Sequence, residues 1–85
     1  MIMTTSEIAE SVKKVICTQL GCRYEDIKGD SELEFNLGAD ALDIVELILA
    51  LEEEFDVTLP DDECDAVKTV SDLIKLVTKH FKGRY

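Results

Sequence analysis

Apolar residues recur at steps of three and four through three stretches of this 85-residue chain, and the β-branched residues do not alternate with polar ones. Helices are therefore expected throughout. Ile8, Val12, Val15, Ile16 and Leu20 form the first stripe, with Thr4-x-x-Glu7 ahead of it as a capping box and Gly21 behind it as a stop. A second helix is expected over 41–55, where Ile44, Leu47, Ile48, Leu51 and Phe55 trace one core-facing line behind Asp40 as N-cap. Asp43 supports the same end electrostatically. The third long helix should begin near Thr69, with Asp72 in its first turn and Val70, Leu73, Ile74, Val77 and Phe81 as its apolar face. Lys75, Lys79, Lys82 and Arg84 fall toward its C-terminal end, where the macrodipole favours cations.

Between these stretches lie two connections. Residues 22–40 are long for a loop in so small a domain, with Gly29 and Gly38 as breakers. Ile27, Leu33, Phe35 and Leu37 are expected to pin that loop to the core. After Leu59-Pro60, the acidic run at 61–65 reads as a short helix with the proline at or just before its start. No repeat or linker interrupts the pattern, so residues 1–85 are expected to form one domain. The architecture expected is an all-α four-helix bundle of three long helices and one short one.

The second helix carries more apolar surface than one face needs. Leu42, Val45 and Leu49 form a second stripe, edged by Asp43, Glu46, Glu52 and Glu53. That stripe is either additional core, if the helix is central, or a shallow hydrophobic strip with an acidic rim. A strip of the second kind would dock on an apolar patch surrounded by Arg and Lys, with the rim setting on-rate and orientation.

Charge sharpens this choice. Residues 30–67 hold fourteen acids and no Lys or Arg, and the chain as a whole has a formal net charge of −10. Such a field repels nucleic acid and anionic membranes and steers basic protein surfaces toward itself. No apolar run approaches the length needed to span a membrane. The first ten residues show neither a basic-then-apolar secretory pattern nor an Arg-rich presequence, so a cytoplasmic location, or an organelle with the presequence removed, is expected. Cys17, Cys22 and Cys64 are odd in number and form no CxxC pair, which favours free thiols in a reducing compartment over a zinc site or disulfide framework.

Autonomous catalysis finds little support. There is one histidine, no Ser-His or Cys-His pair at credible spacing, and no Gly-rich phosphate loop. A calcium loop in "DSELEFNLGADA" fails, because Phe35 stands where the tight-turn glycine belongs and Ala41 where the bidentate Glu belongs. No catalytic residue and no metal site are expected.

The stretch "LGADALDIVELILALEEEFDVTLPDDE", together with the long first loop and "KTVSDLI", resembles the acyl carrier proteins of dissociated (type II) fatty acid synthesis. In that family an Asp-Ser-Leu triplet opens the second helix, and its serine receives 4′-phosphopantetheine, on which growing acyl chains ride as thioesters. The resemblance implies a non-enzymatic, monomeric scaffold read by the basic surfaces of phosphopantetheinyl transferase and fatty acid synthesis enzymes. It places the attachment position at Ala41. It places partner recognition at Asp40, Leu42, Asp43, Val45, Glu46, Leu49, Glu52, Glu53 and Asp61, and an acyl pocket among Ile44, Leu47, Leu51, Val67 and Leu73.

Ala41 departs from the family pattern where the departure matters most. A methyl group has no oxygen, and Ser31 and Ser71 lie elsewhere in the pattern, so this chain should be held in the apo state. One reading is a Ser→Ala substitution in a carrier. The alternative is a natural relative that has given up carrying and acts as an acidic interaction or regulatory subunit. The intact neighbours Asp40 and Leu42 favour the first, since a disused site would be expected to lose its flanks too. Phe35 and Asn36 also depart from the pattern, in a loop where either is tolerable.

Overall fold

The computed structural model describes residues 2–82. Its elements in chain order are helix α1 (Thr5–Leu20), a 3-10 turn (Tyr24–Asp26), α2 (Ala41–Phe55), the short α3 (Asp61–Asp65) and α4 (Val70–His80). This is the expected all-α bundle with three long helices and one short one. Arg84, expected near the end of the last helix, lies outside the described residues.

Each long helix starts at a reciprocal cap written in the sequence. Thr4 and Glu7, Asp40 and Asp43, and Thr69 and Asp72 each exchange side-chain-to-backbone hydrogen bonds, satisfying amides that the helix leaves without partners. α1 stops at Gly21 and α2 at Asp56, both in the left-handed conformation. For Asp56, at φ 53°, that conformation is a steric cost which glycine avoids.

α1 packs against both α2 and α4. Ile8, Val12 and Ile16 meet Leu47, Leu51 and Phe55 of α2 and Val70, Leu73, Leu76 and Val77 of α4 in one buried core. Leu76 joins this core although it was not on the expected face; its spacing from Leu73 and Val77 was the available signal. Phe81 is buried as expected, but it follows the helix rather than ending it, held edge-on against Phe55 with ring centroids 5.3 Å apart.

The long loop is fastened to the start of α4. Leu33 N–H donates to the Lys68 carbonyl, Val70 N–H to the Ser31 carbonyl and Ser71 N–H to the Gly29 carbonyl, at 2.8–3.0 Å. Ser31, buried, accepts from the Lys28 amide at 3.0 Å. Ile27 and Leu33 are pinned in the core and Leu37 is half-buried, as expected. Phe35 corrects the expectation: it is 84% exposed. Residues 32–38 wind in consecutive turns, with Asn36 N–H reaching the Glu32 carbonyl and Gly38 N–H the Glu34 carbonyl. Residues four apart then share a face, so Leu33 and Leu37 turn inward and Phe35 is carried outward. Asn36 is explained by the same turn, since its Oδ1 accepts the Glu32 amide at 2.7 Å.

Candidate functional site

The N-terminus of α2 is built by two aspartates. Asp40 Oδ1 accepts the Asp43 amide at 2.8 Å, and Asp43 Oδ2 accepts the Asp40 amide at 3.1 Å. Gly38, at φ 72°, delivers the chain to this corner, and buried Ala39 anchors it. The result is a rigid, well-capped turn whose first helical residue, Ala41, is exposed. A side chain there would be offered to solvent and to an approaching protein.

The second apolar stripe of α2 is surface, which decides between the two readings left open by the sequence. Leu42, Val45 and Leu49 are 64%, 54% and 57% exposed. Leaving three large aliphatic groups in water on one helix face forgoes burial that each could have had, and such patches mark binding surfaces more often than isolated apolar residues do. Glu46 and Glu53 flank them in the open, Asp40 is exposed at the head of the helix, and Asp61 is exposed at the first turn of α3.

Two of the expected rim acids have structural work as well. Asp43 is half-buried by its capping role. Glu52 is half-buried, and its Oε2 accepts the Leu59 amide at 2.8 Å, tying α2 to the segment that leads into α3. Glu63, on α3, is bound from the other side by Lys79 Nζ at 2.6 Å and His80 Nε2 at 3.2 Å of α4. Hydrogen bonds from Lys79 and then His80 hold the Glu63 carboxyl below its ordinary range. α3 is thus strapped to both its neighbours by carboxylates that composition alone does not single out.

The residues expected to line an acyl pocket separate into two groups. Leu47, Leu51 and Leu73 are fully buried and belong to the packed core. Ile44 and Val67 are half-buried and line a groove of about 260 Å³ with Leu33, Phe35 and Lys68. Ile44 also borders a second groove, about 430 Å³, between α2 and α3, where Val45, Ile48, Leu49, Leu59 and Cys64 supply apolar walls. Ile48, Leu59 and Cys64 were not expected at this site; the i, i+4 relation of Ile44 to Ile48 was the only sequence signal. The structure brings Ile44 and Val67 together but keeps the three core leucines out of any open cavity.

Ala41 bears directly on the chemistry open to this corner. It carries no oxygen, sulfur or nitrogen beyond the backbone, and the capping amides of Asp40 and Asp43 are already engaged by carboxylates. The nearest serine in the preceding loop, Ser31, is buried and committed to the Lys28 amide. Among the described residues no three His, Cys, Asp or Glu side chains converge to hold a metal ion, and no helix is long and apolar enough to cross a membrane.

Two comparisons bear on this site. The family model described as "Phosphopantetheine attachment site" matches residues 10–77. Among solved structures, one described as an acyl carrier protein from Mycobacterium tuberculosis superposes with a TM-score of 0.80 at 30% sequence identity. The match covers 85% of this chain and 96% of that one.

Proposed function

Because the chain belongs to the phosphopantetheine attachment-site family, we propose that it is an acyl carrier scaffold, a single domain over residues 1–85, held in the apo state by Ala41. The family and the fold are those of a carrier rather than an enzyme. In its Ser form the scaffold carries acyl chains as thioesters on 4′-phosphopantetheine in fatty acid biosynthesis, as a cytoplasmic monomer. The observation that carries this reading is the corner itself: an exposed first helical residue between intact Asp40 and Leu42, lacking only the atom a phosphodiester would use.

The residues present do not fit covalent attachment of the prosthetic group, so this chain's own chemistry is recognition. The exposed Leu42, Val45 and Leu49 meet an apolar patch on a partner, while Asp40, Glu46, Glu53 and Asp61 pair with its surrounding Lys and Arg. Glu52 and Asp43 hold α2 and α3 in the geometry that presents them. Ile44 and Val67, with Ile48, Leu59 and Cys64, offer the half-open apolar lining an acyl chain would need, and the core leucines Leu47, Leu51 and Leu73 back it.

The second reading, a natural non-carrier relative serving as an acidic interaction subunit, rests on the same missing oxygen. One experiment separates the two. Ala41→Ser protein is incubated with coenzyme A and a phosphopantetheinyl transferase and then weighed. Gain of one phosphopantetheine on residue 41 supports the carrier scaffold; a correctly folded variant that gains nothing favours the interaction subunit. The unchanged chain should gain nothing in either case.

A further inference from the structure

Phe35 stands 84% exposed on a closely hydrogen-bonded turn. The Asn36 and Leu37 amides both reach the Glu32 carbonyl, the Ala39 amide reaches the Leu33 carbonyl at 2.9 Å, and Asn36 Oδ1 closes back on the Glu32 amide. Buried Leu33 and Ala39 anchor the two ends, and the Leu33 amide is tied to the Lys68 carbonyl ahead of α4. A single exposed apolar side chain is ordinary on a protein surface. Phe35 is not single: among the described residues, four of the six large exposed hydrophobics are Phe35, Leu42, Val45 and Leu49. Ile44 joins them, because it borders both the groove of about 260 Å³ that Phe35 lines and the groove between α2 and α3 that Val45 and Leu49 line.

We infer that Phe35 is a docking anchor, entering an apolar socket rimmed by Lys and Arg on the partner protein that covers the exposed strip of α2. The inference rests on the reading of that strip as a recognition surface and adds a second point of attachment to it, from the long loop. Charge selects this occupant. Glu32 and Glu34 are exposed on the same turn, and with Asp65 they line the groove beside Phe35 against one cation, Lys68. A basic rim meets these acids as the ring is buried. A second copy of this chain would bring like charges together around the same ring, at a formal net charge of −10 on each chain. An anionic lipid surface is repelled in the same way.

An aromatic side chain buries a large apolar area in one pocket, and such anchors carry much of the energy of an interface when weaker contacts around them keep water out. The turn lowers the cost of using this one, since its backbone is ordered before the partner arrives. The acids and the ring then act on different steps: the acids set how fast the partner arrives, and the ring sets how long it stays. Because the ring lies in solvent, its removal leaves the core intact, so docking and folding can be measured apart.

The test measures binding of the unchanged chain and its variants to an immobilised phosphopantetheinyl transferase by surface plasmon resonance, with circular dichroism and urea midpoints as folding checks. Phe35→Ala should keep the parent midpoint yet weaken binding about tenfold, mostly through faster dissociation. Phe35→Leu, which keeps an apolar group, should lose less. Ile2→Ala, at an exposed apolar residue ahead of α1, should lose almost nothing. Glu34→Lys should slow association, and that effect should fade in about 0.5 M sodium chloride while the Phe35→Ala loss persists. A Phe35→Ala loss no larger than that of Ile2→Ala, beside a clear loss on reversing Glu46 and Glu53, would overturn the inference and leave the α2 reading standing. Absence of binding by the unchanged chain would overturn it too, and if Ala41→Ser also gained no phosphopantetheine, the carrier reading would fall with it. Sedimentation of the chain alone should show a monomer; a dimer that Phe35→Ala dissolves would assign the ring to a second copy and overturn the inference as well.

Discussion

Asp40 and Asp43 hold one another's backbone: each carboxylate accepts the other residue's amide, at 2.8 and 3.1 Å, and Ala41 and Leu42 are the two residues clasped between them. Removing the N-cap oxygen should cost about 1 kcal/mol. Asp40→Ala is therefore expected to lower the urea midpoint with an unchanged slope. Ala41→Ser, which leaves both bonds in place, should stay within about 0.5 kcal/mol of the parent. If the two substitutions prove equally costly, the clasp is not what organises this corner.

Glu52 and the Leu59 amide form the tie between α2 and the approach to α3. Glu52→Ala leaves a part-buried donor without its partner, at a cost of about 1–3 kcal/mol. Glu52→Gln keeps an acceptor oxygen and should recover much of the loss. Hydrogen exchange at the Leu59 amide checks the cause directly, since it should quicken in the alanine variant and stay protected in the glutamine one.

Acid should weaken the caps of α1 and α4. The Asp72 carboxyl is lowered from its ordinary value mainly by the backbone amides of Lys68 and Thr69, at 3.0 and 3.1 Å. The Glu7 carboxyl is lowered by the backbone and hydroxyl of Thr4. A depressed folded-state value means that the unfolded chain binds the proton more readily. The stabilisation is then complete above the ordinary carboxylate range and is lost as pH falls through the depressed value. The stability difference between the parent and Asp72→Asn should be largest near neutrality and vanish at low pH. Titrating both proteins by thermal melts tests this, and a constant difference would remove the linkage.

Fourteen acids without a cation between residues 30 and 67 should repel one another within the folded state. Added salt screens that repulsion, with a Debye length of about 10 Å at 0.1 M. The melting temperature near neutral pH should therefore climb with sodium chloride and more steeply with magnesium. A flat response would mean that the acids are too well solvated to matter.

Recognition can be separated from solubility by charge reversal. Glu46 and Glu53 lie in the open beside Leu42, Val45 and Leu49, whereas Glu10 and Glu25 are exposed on other elements. Reversing Glu46 and Glu53 to Lys should weaken capture by a phosphopantetheinyl transferase at least tenfold and slow association most. Reversing Glu10 and Glu25 should change it little. Glu7 is unsuitable as a control, because it caps α1. Equal losses from both pairs would assign the acids to solubility alone.

The helices, their caps and the oxygen missing from residue 41 were settled by the amino-acid sequence, because each depends on neighbours within one helical turn. Thr4 with Glu7, Asp40 with Asp43, and apolar steps of three and four specify local structure before any core exists. The same locality left open whether Leu42, Val45 and Leu49 face solvent or core, since a helix records two apolar stripes without saying which one its neighbours cover. Only the packing of α1 on the Leu47–Leu51–Phe55 face, within the core it shares with α4, decided that. Tertiary structure likewise turned Phe35 outward, spent Glu52 on the Leu59 amide, and joined Glu63 to Lys79 and His80. Those outcomes depend on backbones meeting across turns and between helices, where the separation in space is fixed by burial of the whole core and not by any spacing along the chain.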